Sequence, residues 1–178
     1  FIFCNFNLDD FINLLIMNLI IDTGNTRTKI AVFDGGKIKT FAAFENLAPE
    51  DLAEISSGQA ITHCIISSVK DIDQYIIDFL KPRYYLIILD AATPLPIKNL
   101  YETPETLGKD RIAAAVAACH QFPGSDMLVV DAGTAITYDL ILGGKTYMGG
   151  GISPGLDMRF KALNAFTGKL PLISDISP

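Results

Sequence analysis

The sequence predicts a mixed α/β fold in which one strand–turn–strand unit occurs twice. Apolar runs alternate with helical patterns through residues 47–90, and an alanine-rich segment at 108–122 is typical of a long helix. An apolar run also ends in Asp-x-Gly at two places, in "NLIIDTGNTRTKI" and in "MLVVDAGTAITYDL". Strands that alternate with helices favour a parallel sheet, and a motif that recurs at a distance indicates an internal duplication.

Three antiparallel strands open the predicted fold. Residues 18–22 are an apolar run typical of a buried strand, and residues 28–34 and 37–44 continue as two further strands. Gly35-Gly36 separates the last two strands. A glycine pair between two strands predicts a tight two-residue hairpin turn.

The next segments alternate helix and strand. "LAPEDLAEISSG" at 47–58 has a proline at its start, acidic residues in its first turn and a glycine at its end, which predicts a short helix. The apolar run 61–69, the helical pattern 71–81 and the apolar run 84–90 then predict strand, helix and strand.

The second half begins with an irregular segment. Residues 91–107 contain three prolines and predict a loop that crosses between two units, after which the helix over 108–122 ends at Pro123-Gly124. "GGGISPG" at 149–155 predicts a glycine-rich turn that opens a helix ending near Gly168. This turn fits either close backbone approach to a ligand or an ordinary chain crossing.

The two strand–turn–strand units match at a constant offset of 109 residues. Asp22 falls on Asp131, Gly24 on Gly133 and Thr28 on Thr137. With one residue of slip, "GGK" at 35–37 falls on "GGK" at 143–145. The match predicts a duplicated fold, whose second copy is incomplete in this chain because fewer residues follow the second motif than separate the two.

The duplication suggests how the chain is divided. We expect a first domain over residues 17–122 and the N-terminal part of a second domain over 123–178. Residues 1–16 precede the first strand and fit neither a secretory signal nor a membrane span, because they lack a basic start and Asp9-Asp10 interrupts the apolar stretch. We expect them to be a leader or a non-native extension.

Composition excludes some classes of partner. The net charge of −6 and the isoelectric point of about 4.8 lack the basic excess that nucleic-acid binding needs, and no membrane-binding segment is evident. Cys4, Cys64 and Cys119 are odd in number and lie in apolar stretches. Such cysteines are typical of a reduced, cytoplasmic protein, and we expect Cys64 and Cys119 to be buried thiols.

The two Asp-x-Gly turns are candidate phosphate sites. A tight turn rich in glycine, threonine and asparagine points backbone N–H groups into one concavity, where threonine hydroxyls and a nearby Lys29 or Arg27 add donors and charge. A carboxylate would repel phosphate, so Asp22 and Asp131 favour a cation or its water shell that bridges to the phosphates. The alternative for Asp22 is an Asx-turn that only caps a hairpin.

A second candidate lies in "LGKDRIAAAVAA". Asp110 and Arg111 occupy the first turn of the predicted helix, where the helix dipole favours an ionised carboxylate. Such an Asp can accept a proton from a hydroxyl, and an adjacent Arg can bind a substrate carboxylate. The alternative is a carboxylate that complements the dipole beside a solvated Arg111.

Four motifs together resemble the type III pantothenate kinases. They are, in order along the chain, "DTGNTRTK" (22–29), "YETPETLGKDR" (101–111), "DAGTA" (131–135) and "GGGISPGLDMRFKALNAFTGKLP" (149–171). That family belongs to the acetate-and-sugar-kinase/actin superfamily, whose fold is two ribonuclease-H-like domains around a nucleotide cleft. The resemblance implies an ATP-dependent enzyme that phosphorylates pantothenate at the first step of coenzyme A synthesis.

The resemblance also implies roles for individual residues. Asp110 would be the general base, Asp131 would bind a monovalent cation (K⁺ or NH₄⁺), and ATP would be used with Mg²⁺ by a cytoplasmic homodimer. The ATP-binding residues would be Asp22, Thr23, Gly24, Asn25, Thr26, Arg27, Thr28, Lys29 and Thr134. The pantothenate-binding residues would be Tyr101, Gly108, Lys109, Asp110 and Arg111.

Three other hypotheses fit parts of the sequence. One is a nucleotide-binding accessory or regulatory protein on the same fold, and another is an inactive fragment. The third is an aspartic protease, because "IIDTGNT" and "VVDAGTA" resemble the apolar-apolar-Asp-Thr/Ser-Gly signature of that family. The protease fold is all-β, whereas this sequence predicts helices over 47–58, 71–81 and 108–122.

Overall fold

The computed structural model describes residues 17–173, which form two compact α/β units. Unit 1 contains the chain up to Pro96 together with Thr103–Ala117, and unit 2 contains Ile97–Glu102 together with the chain from Ala118 onward. The predicted leader over residues 1–16, which includes Cys4, lies outside the described residues.

Unit 1 is built on a five-stranded mixed sheet with the strand order β3-β2-β1-β4-β5. Strands β1 to β3 are antiparallel neighbours, whereas β4 and β5 run parallel to β1. The strands are β1 (Met17–Thr23), β2 (Thr28–Asp34), β3 (Lys37–Phe44), β4 (Ile61–Ser68) and β5 (Tyr85–Ile88). The helices are α1 (Pro49–Ser56), α2 (Gln74–Leu80) and α3 (Lys109–Gln121), the last of which continues into unit 2.

Both faces of the first sheet are covered. Leu19 and Ile21 of β1 pack with α1 and α2 on one face, through buried side chains that include Leu80. Ile20, which points to the opposite face, packs in a cluster with Ala113 of α3. A central strand that is apolar on both faces therefore fits between two helical layers, as its unbroken apolar run predicts.

The Gly35-Gly36 hairpin is confirmed. Asp34 pairs with Lys37 across a two-residue turn, and the two glycines have positive φ angles of 52° and 83°. Two successive positive φ angles are the geometry whose twist matches that of the flanking strands. The three antiparallel strands and the strand–helix–strand alternation that follows them are confirmed as well.

Unit 2 is built on a four-stranded mixed sheet with the order β6-β9-β8-β7. Strands β7, β8 and β9 are antiparallel neighbours, and β6 runs parallel to β9. The elements are β6 (Lys98–Asn99), β7 (Met127–Ala132), β8 (Ala135–Leu142), β9 (Thr146–Pro154) and α4 (Leu156–Phe166). The strand–turn–strand–turn–strand order of β1–β3 thus recurs in β7–β9, which is the duplicated mixed α/β fold that the sequence predicts.

The two faces of the second sheet differ. Ile141 and Tyr147 share one face and are fully buried. Leu128, Val130 and Leu140 share the other face and are 63%, 51% and 41% exposed in the described chain. Asp131 and Asp139 lie on the face that contains Tyr147.

Two parts of the predicted organisation need correction. Residues 91–107 are not wholly a loop: β6 pairs with β9 inside this segment, and Pro104–Thr106 form a short 3₁₀ turn. Residues 149–154 are not a turn but the second half of β9, and Gly155 is the N-cap of α4. The physical reason is close strand approach, because a Cβ on Gly150 would lie 1.6 Å from the backbone oxygen of Tyr138.

The units also differ from the predicted division at residue 122. Ile97–Glu102 belong to unit 2 because β6 is hydrogen-bonded to β9, and the unit boundary falls within α3, after Ala117. In the described part of the chain, no helix is long and apolar enough to span a membrane. Cys64 and Cys119 are buried free thiols, as their apolar surroundings predict.

Candidate active site

The first Asp-x-Gly turn joins β1 to β2 in unit 1. Asp22 faces Lys29 across the antiparallel ladder, and the Lys29 Nζ lies 3.9 Å from the Asp22 Oδ2. The Gly24 N–H donates to the Arg27 carbonyl oxygen at 3.0 Å, which closes a four-residue turn over 24–27. The motif therefore places an acidic and a basic side chain side by side at the base of one tight turn.

The side chains of this turn divide into exposed and buried groups. Asn25, Thr26 and Arg27 are exposed, and the Arg27 guanidinium lies 3.5 Å from the Glu45 carboxylate. Thr23 and Thr28 are each only 6% exposed. Of the three threonines predicted as phosphate donors, Thr26 is thus the one whose side chain faces solvent.

Two serines that the sequence analysis did not single out lie beside this turn. In the parallel register of β1 and β4, Ser67 pairs with Asp22 and Ser68 pairs with Thr23, and both serines are buried. The Val69 N–H also donates to the Thr23 carbonyl oxygen at 3.0 Å. Ligands of open α/β sheets bind at the carboxyl ends of parallel strands, and "ISS" closing an apolar run is the signal that could have revealed these residues.

Asp90 follows β5 at the same end of the sheet. Its Oδ1 accepts hydrogen bonds from the Thr93 hydroxyl at 2.9 Å and from the Ala92 N–H at 3.0 Å. The Thr93 hydrogen bond is the main cause that lowers the pKa of Asp90, and Lys109 makes a smaller contribution in the same direction. The turn that follows β5 therefore holds an ionised carboxylate in a fixed position.

The start of α3 presents the predicted general base. The Asp110 Oδ1 accepts a hydrogen bond from the Arg111 N–H at 2.9 Å, and Asp110 is exposed. A Cβ on Gly108 would lie 2.5 Å from that same oxygen, so the glycine leaves the space that the carboxylate occupies. The Arg111 N–H therefore fixes the position of the carboxylate at the helix start.

Arg111 is not solvated. It is 5% exposed, whereas the neighbouring Asp110 is exposed to solvent. The alternative in which Arg111 is a solvated surface residue is therefore wrong. A buried arginine is held in place by its surroundings, which suits a group that binds a planar carboxylate through two N–H donors.

The second Asp-x-Gly turn joins β7 to β8 in unit 2. Asp131 is exposed and faces Thr137 across the ladder, and the Gly133 N–H donates to the Ala135 carbonyl oxygen at 2.9 Å. Three residues separate the last strand pair of this turn, Ala132 and Ile136, compared with four in the first copy. The constant offset in sequence therefore does not hold in the ladder, where Thr137 occupies the position that corresponds to Lys29 rather than Thr28.

This second turn lies against the start of α4. The Gly155 N–H donates to the Thr134 carbonyl oxygen at 3.0 Å. A Cβ on Gly155 would lie 2.2 Å from the Gly133 oxygen and 2.4 Å from the Thr134 oxygen. Glycine is therefore required where the turn and the helix N-terminus approach each other, and Thr134 is placed at that N-terminus.

Tyr101 lies in unit 2 next to β9. Its N–H donates to the Asn99 Oδ1 at 2.9 Å, and the Leu100 N–H donates to the Tyr147 carbonyl oxygen at 2.9 Å. Tyr101 is thus separated by the unit boundary from Gly108, Lys109, Asp110 and Arg111, which belong to unit 1. Each unit by itself holds part of the predicted pantothenate set.

The carboxylates do not form a ready-made metal cage. Within residues 17–173, no group of three or more His, Cys, Asp or Glu side chains could hold a metal ion. A Mg²⁺ ion that is bound with nucleotide needs one or two carboxylates, because water and phosphate oxygens supply the other ligands. Asp131, the residue predicted to bind a monovalent cation, has an exposed carboxylate that offers oxygen ligands of this kind.

The fold and these residues define a class of protein. Two mixed sheets each contain a strand–Asp-x-Gly–strand hairpin, and helix α3 carries an exposed carboxylate at its start. This is a duplicated mixed α/β architecture with two candidate phosphate turns. The family model for type III pantothenate kinase matches residues 18–178, and the chain belongs to that family.

Curated relatives are similar in sequence to this chain over most of its length. A type III pantothenate kinase of Bacteroides fragilis is 48% identical over 158 residues, which cover 88% of this chain and 65% of the relative. One from Christiangramia forsetii is 46% identical over 167 residues, which cover 89% of this chain and 66% of the relative. The chain therefore spans about two thirds of the length of the curated relatives it matches.

Solved structures of lower sequence identity are also similar to the chain. The ethanolamine utilization protein EutJ from Carboxydothermus hydrogenoformans has a TM-score of 0.48 and 13% identity, over 96% of this chain and 61% of that one. A Bacteroides thetaiotaomicron protein with an actin-like ATPase fold has a TM-score of 0.39 and 10% identity, over 90% of this chain and 79% of that one.

Proposed function

We propose that the full-length protein transfers the γ-phosphoryl group of ATP to pantothenate, forming 4′-phosphopantothenate and ADP. Membership of the type III pantothenate kinase family supports this proposal. The observation that carries it is the Asp110 carboxylate, exposed at the start of α3 and held by the Arg111 N–H in the space that Gly108 leaves. The mixed α/β units argue against the aspartic protease hypothesis, because that fold is all-β.

Asp110 acts as the general base in this proposal. Its carboxylate takes the proton of the pantothenate hydroxyl, and the hydroxyl oxygen forms a bond to the γ-phosphorus. The bond from that phosphorus to the bridging oxygen breaks, and ADP leaves with the electron pair. Gly108, Lys109 and Arg111 bind pantothenate beside the base, the Arg111 guanidinium holding the substrate carboxylate, and Tyr101 contributes an aromatic surface.

The two hairpin turns bind ATP in this proposal. The turn from Asp22 to Lys29 and the Thr134 turn donate hydrogen bonds to phosphate oxygens, and Lys29 adds positive charge. Asp131 binds a monovalent cation, K⁺ or NH₄⁺, which offsets phosphate charge. ATP enters with Mg²⁺. We further propose that the enzyme works as a homodimer in the cytoplasm. The buried free thiols Cys64 and Cys119 support the reducing compartment.

The test is phosphopantothenate formation by the full-length protein. We expect turnover with ATP and pantothenate, and a loss of about 10³-fold in kcat for Asp110→Asn, within the range of general-base contributions. Turnover by Asp110→Asn at the wild-type rate would contradict the base assignment. Calorimetry that shows ATP binding without pantothenate binding would favour the accessory-protein hypothesis.

Asp51→Asn is the matched control for this variant. Asp51 lies in the first turn of α1 and accepts a backbone hydrogen bond from the Ala48 N–H at 2.8 Å. It therefore resembles Asp110 in helix position and bonding, but α1 packs on the sheet face opposite α3. We expect Asp51→Asn to lower stability slightly and to leave kcat unchanged.

The cation assignment has its own test. We expect wild-type activity to rise with added K⁺ in a Tris buffer that is free of other monovalent metal ions. Asp131→Asn should lose this activation while keeping its affinity for pantothenate. An equal response of wild type and Asp131→Asn to K⁺ would contradict the assignment.

A further inference from the structure

A glycine of β9 lies against one edge of the Tyr101 ring. Gly149 has a φ angle of +94°, and a Cβ at this position would lie 3.1 Å from the Tyr101 Cδ2 and 3.6 Å from its Cε2. The β8–β9 ladder shifts register here, because Leu140 pairs with Gly149 while the next residue, Ile141, pairs with Tyr147. This bulge and the missing side chain give the Tyr101 ring its place on the strand.

A second tyrosine borders the same ring. The ring centroids of Tyr101 and Tyr147 are 6.4 Å apart, with the planes tilted by 33°. The Tyr147 hydroxyl donates a hydrogen bond to the Asp139 Oδ1 at 2.6 Å, and both side chains are buried, at 0% and 1% exposure. A short hydrogen bond between two buried side chains holds the Tyr147 ring in one orientation.

These contacts restrict Tyr101 from two sides. Gly149 supports one edge of the ring, and Tyr147, fixed by Asp139, limits its tilt. The backbone of Tyr101 is held separately, through its N–H bond to Asn99. A ring that is held in this way already has its bound orientation before substrate arrives. The Tyr101 side chain therefore loses less conformational freedom on binding.

We infer that Gly149, Tyr147 and Asp139 are positioning residues that fix the Tyr101 ring as a preformed apolar surface for the methyl-bearing end of pantothenate. The inference rests on the proposed function, which places Tyr101 in the pantothenate site. It goes further in assigning pantothenate affinity, rather than the rate of phosphoryl transfer, to a buried hydrogen bond and a glycine within unit 2. A substrate without methyl groups beside its hydroxyl should gain little from this surface.

The test uses steady-state kinetics of the full-length enzyme with Gly149→Ala and Tyr147→Phe. Gly149→Ala pushes the Tyr101 ring away, and we expect KM for pantothenate to rise about tenfold, with kcat and KM for ATP within about twofold of wild type. Tyr147→Phe keeps the ring but removes one donor from Asp139. It should raise the same KM about threefold.

A double-mutant cycle separates positioning from a general structural effect. In a Tyr101→Ala background the target ring is absent, so Gly149→Ala and Tyr147→Phe should change KM for pantothenate no further. Effects that add in full in this background would overturn the inference. If Gly149→Ala does not fold, the cycle of Tyr147→Phe with Tyr101→Ala decides in the same way.

Gly58→Ala is the matched control for Gly149→Ala. Gly58 also has a positive φ angle, of 66°, but a Cβ there would meet nothing within 4 Å. It should therefore lose stability from backbone strain without a change in KM for pantothenate. An equal rise in KM for both glycine variants would overturn the inference. If wild-type enzyme does not phosphorylate pantothenate, both the proposed function and the inference fail, whereas normal wild-type turnover with unchanged KM in the variants refutes the inference alone.

Discussion

Gly108→Ala is the substitution that tests the Asp110 site most directly. The glycine has no unusual φ angle, so alanine fits the backbone, but its Cβ would lie 2.5 Å from the Asp110 Oδ1. Ordinary van der Waals contact begins at 3.4 Å, so the carboxylate has to move by about 1 Å. Because the displaced atom ends a flexible side chain, the carboxylate moves while the fold is retained.

The size of the effect follows from this displacement. A reacting group that is misplaced by about 1 Å loses on the order of 10²-fold in rate, which corresponds to about 2.7 kcal/mol of transition-state stabilisation. We therefore expect kcat of Gly108→Ala to fall about 10²-fold in a coupled ADP-release assay on the full-length enzyme. KM for ATP should not change, and the urea midpoint of unfolding should stay near that of wild type.

Two outcomes would refute this reasoning. If Gly108→Ala keeps kcat within about threefold of wild type while Asp110→Asn is inactive, the carboxylate position in the structure is not the one that the reaction uses. If Gly108→Ala lowers activity only in proportion to lost stability, the glycine has a structural role. Asp51→Asn again supplies the control for a carboxylate at a helix start.

Three further predictions concern stability. Burial raises the pKa of the Cys64 thiol from 9.0 to about 12, so its contribution to folding is complete below pH 9 and is lost as pH rises toward 12. Urea titrations should show a drop of about 1.4 kcal/mol between pH 8 and pH 10 that Cys64→Ala lacks. Leu80→Ala removes a fully buried side chain of α2 and should cost about 2–5 kcal/mol in thermal or urea unfolding. Gly150→Ala places a Cβ 1.6 Å from the Tyr138 oxygen, and hydrogen exchange should show lost protection in β8 and β9 with protection kept in β1.

The parts of the fold that sequence predicts well are those with local signals. The Gly35-Gly36 turn is specified by two residues that alone adopt its φ angles without strain. Helix α3 is specified by its alanine content and by the Pro123-Gly124 stop, and the observed bounds, Lys109–Gln121, lie within one residue of the predicted ones. Such elements depend on residues that are close in sequence, so they can be predicted before any tertiary contact is known.

The parts that sequence misses depend on distant partners. Strand β6 is only two residues long, and it is a strand because β9 offers a parallel edge nearly 50 residues later. Residues 149–154 look like a turn because they contain three glycines, yet Gly150 makes room for β8 and Gly149 makes room for Tyr101. Local propensity cannot distinguish a glycine that turns the chain from one that makes room.

The candidate site shows the same division. Asp110, Asp131 and the Asp22 turn were predicted because their motifs place charged groups next to turns and helix starts. Ser67 and the Asp139–Tyr147 pair were not, because serines that end a strand and a tyrosine within one carry no such signal. Supporting groups become visible only when the register of the strands is known.

Register also separates the two copies of the Asp-x-Gly turn. Asp22 faces the ammonium group of Lys29 at 3.9 Å, so a basic group already lies beside this carboxylate. Asp131 faces Thr137 across a turn that is one residue shorter. A cation that approaches Asp22 competes with Lys29, whereas one that approaches Asp131 meets a neighbour without positive charge. This difference in charge supports the proposal that Lys29 serves phosphate binding in the first copy and that Asp131 binds a cation in the second.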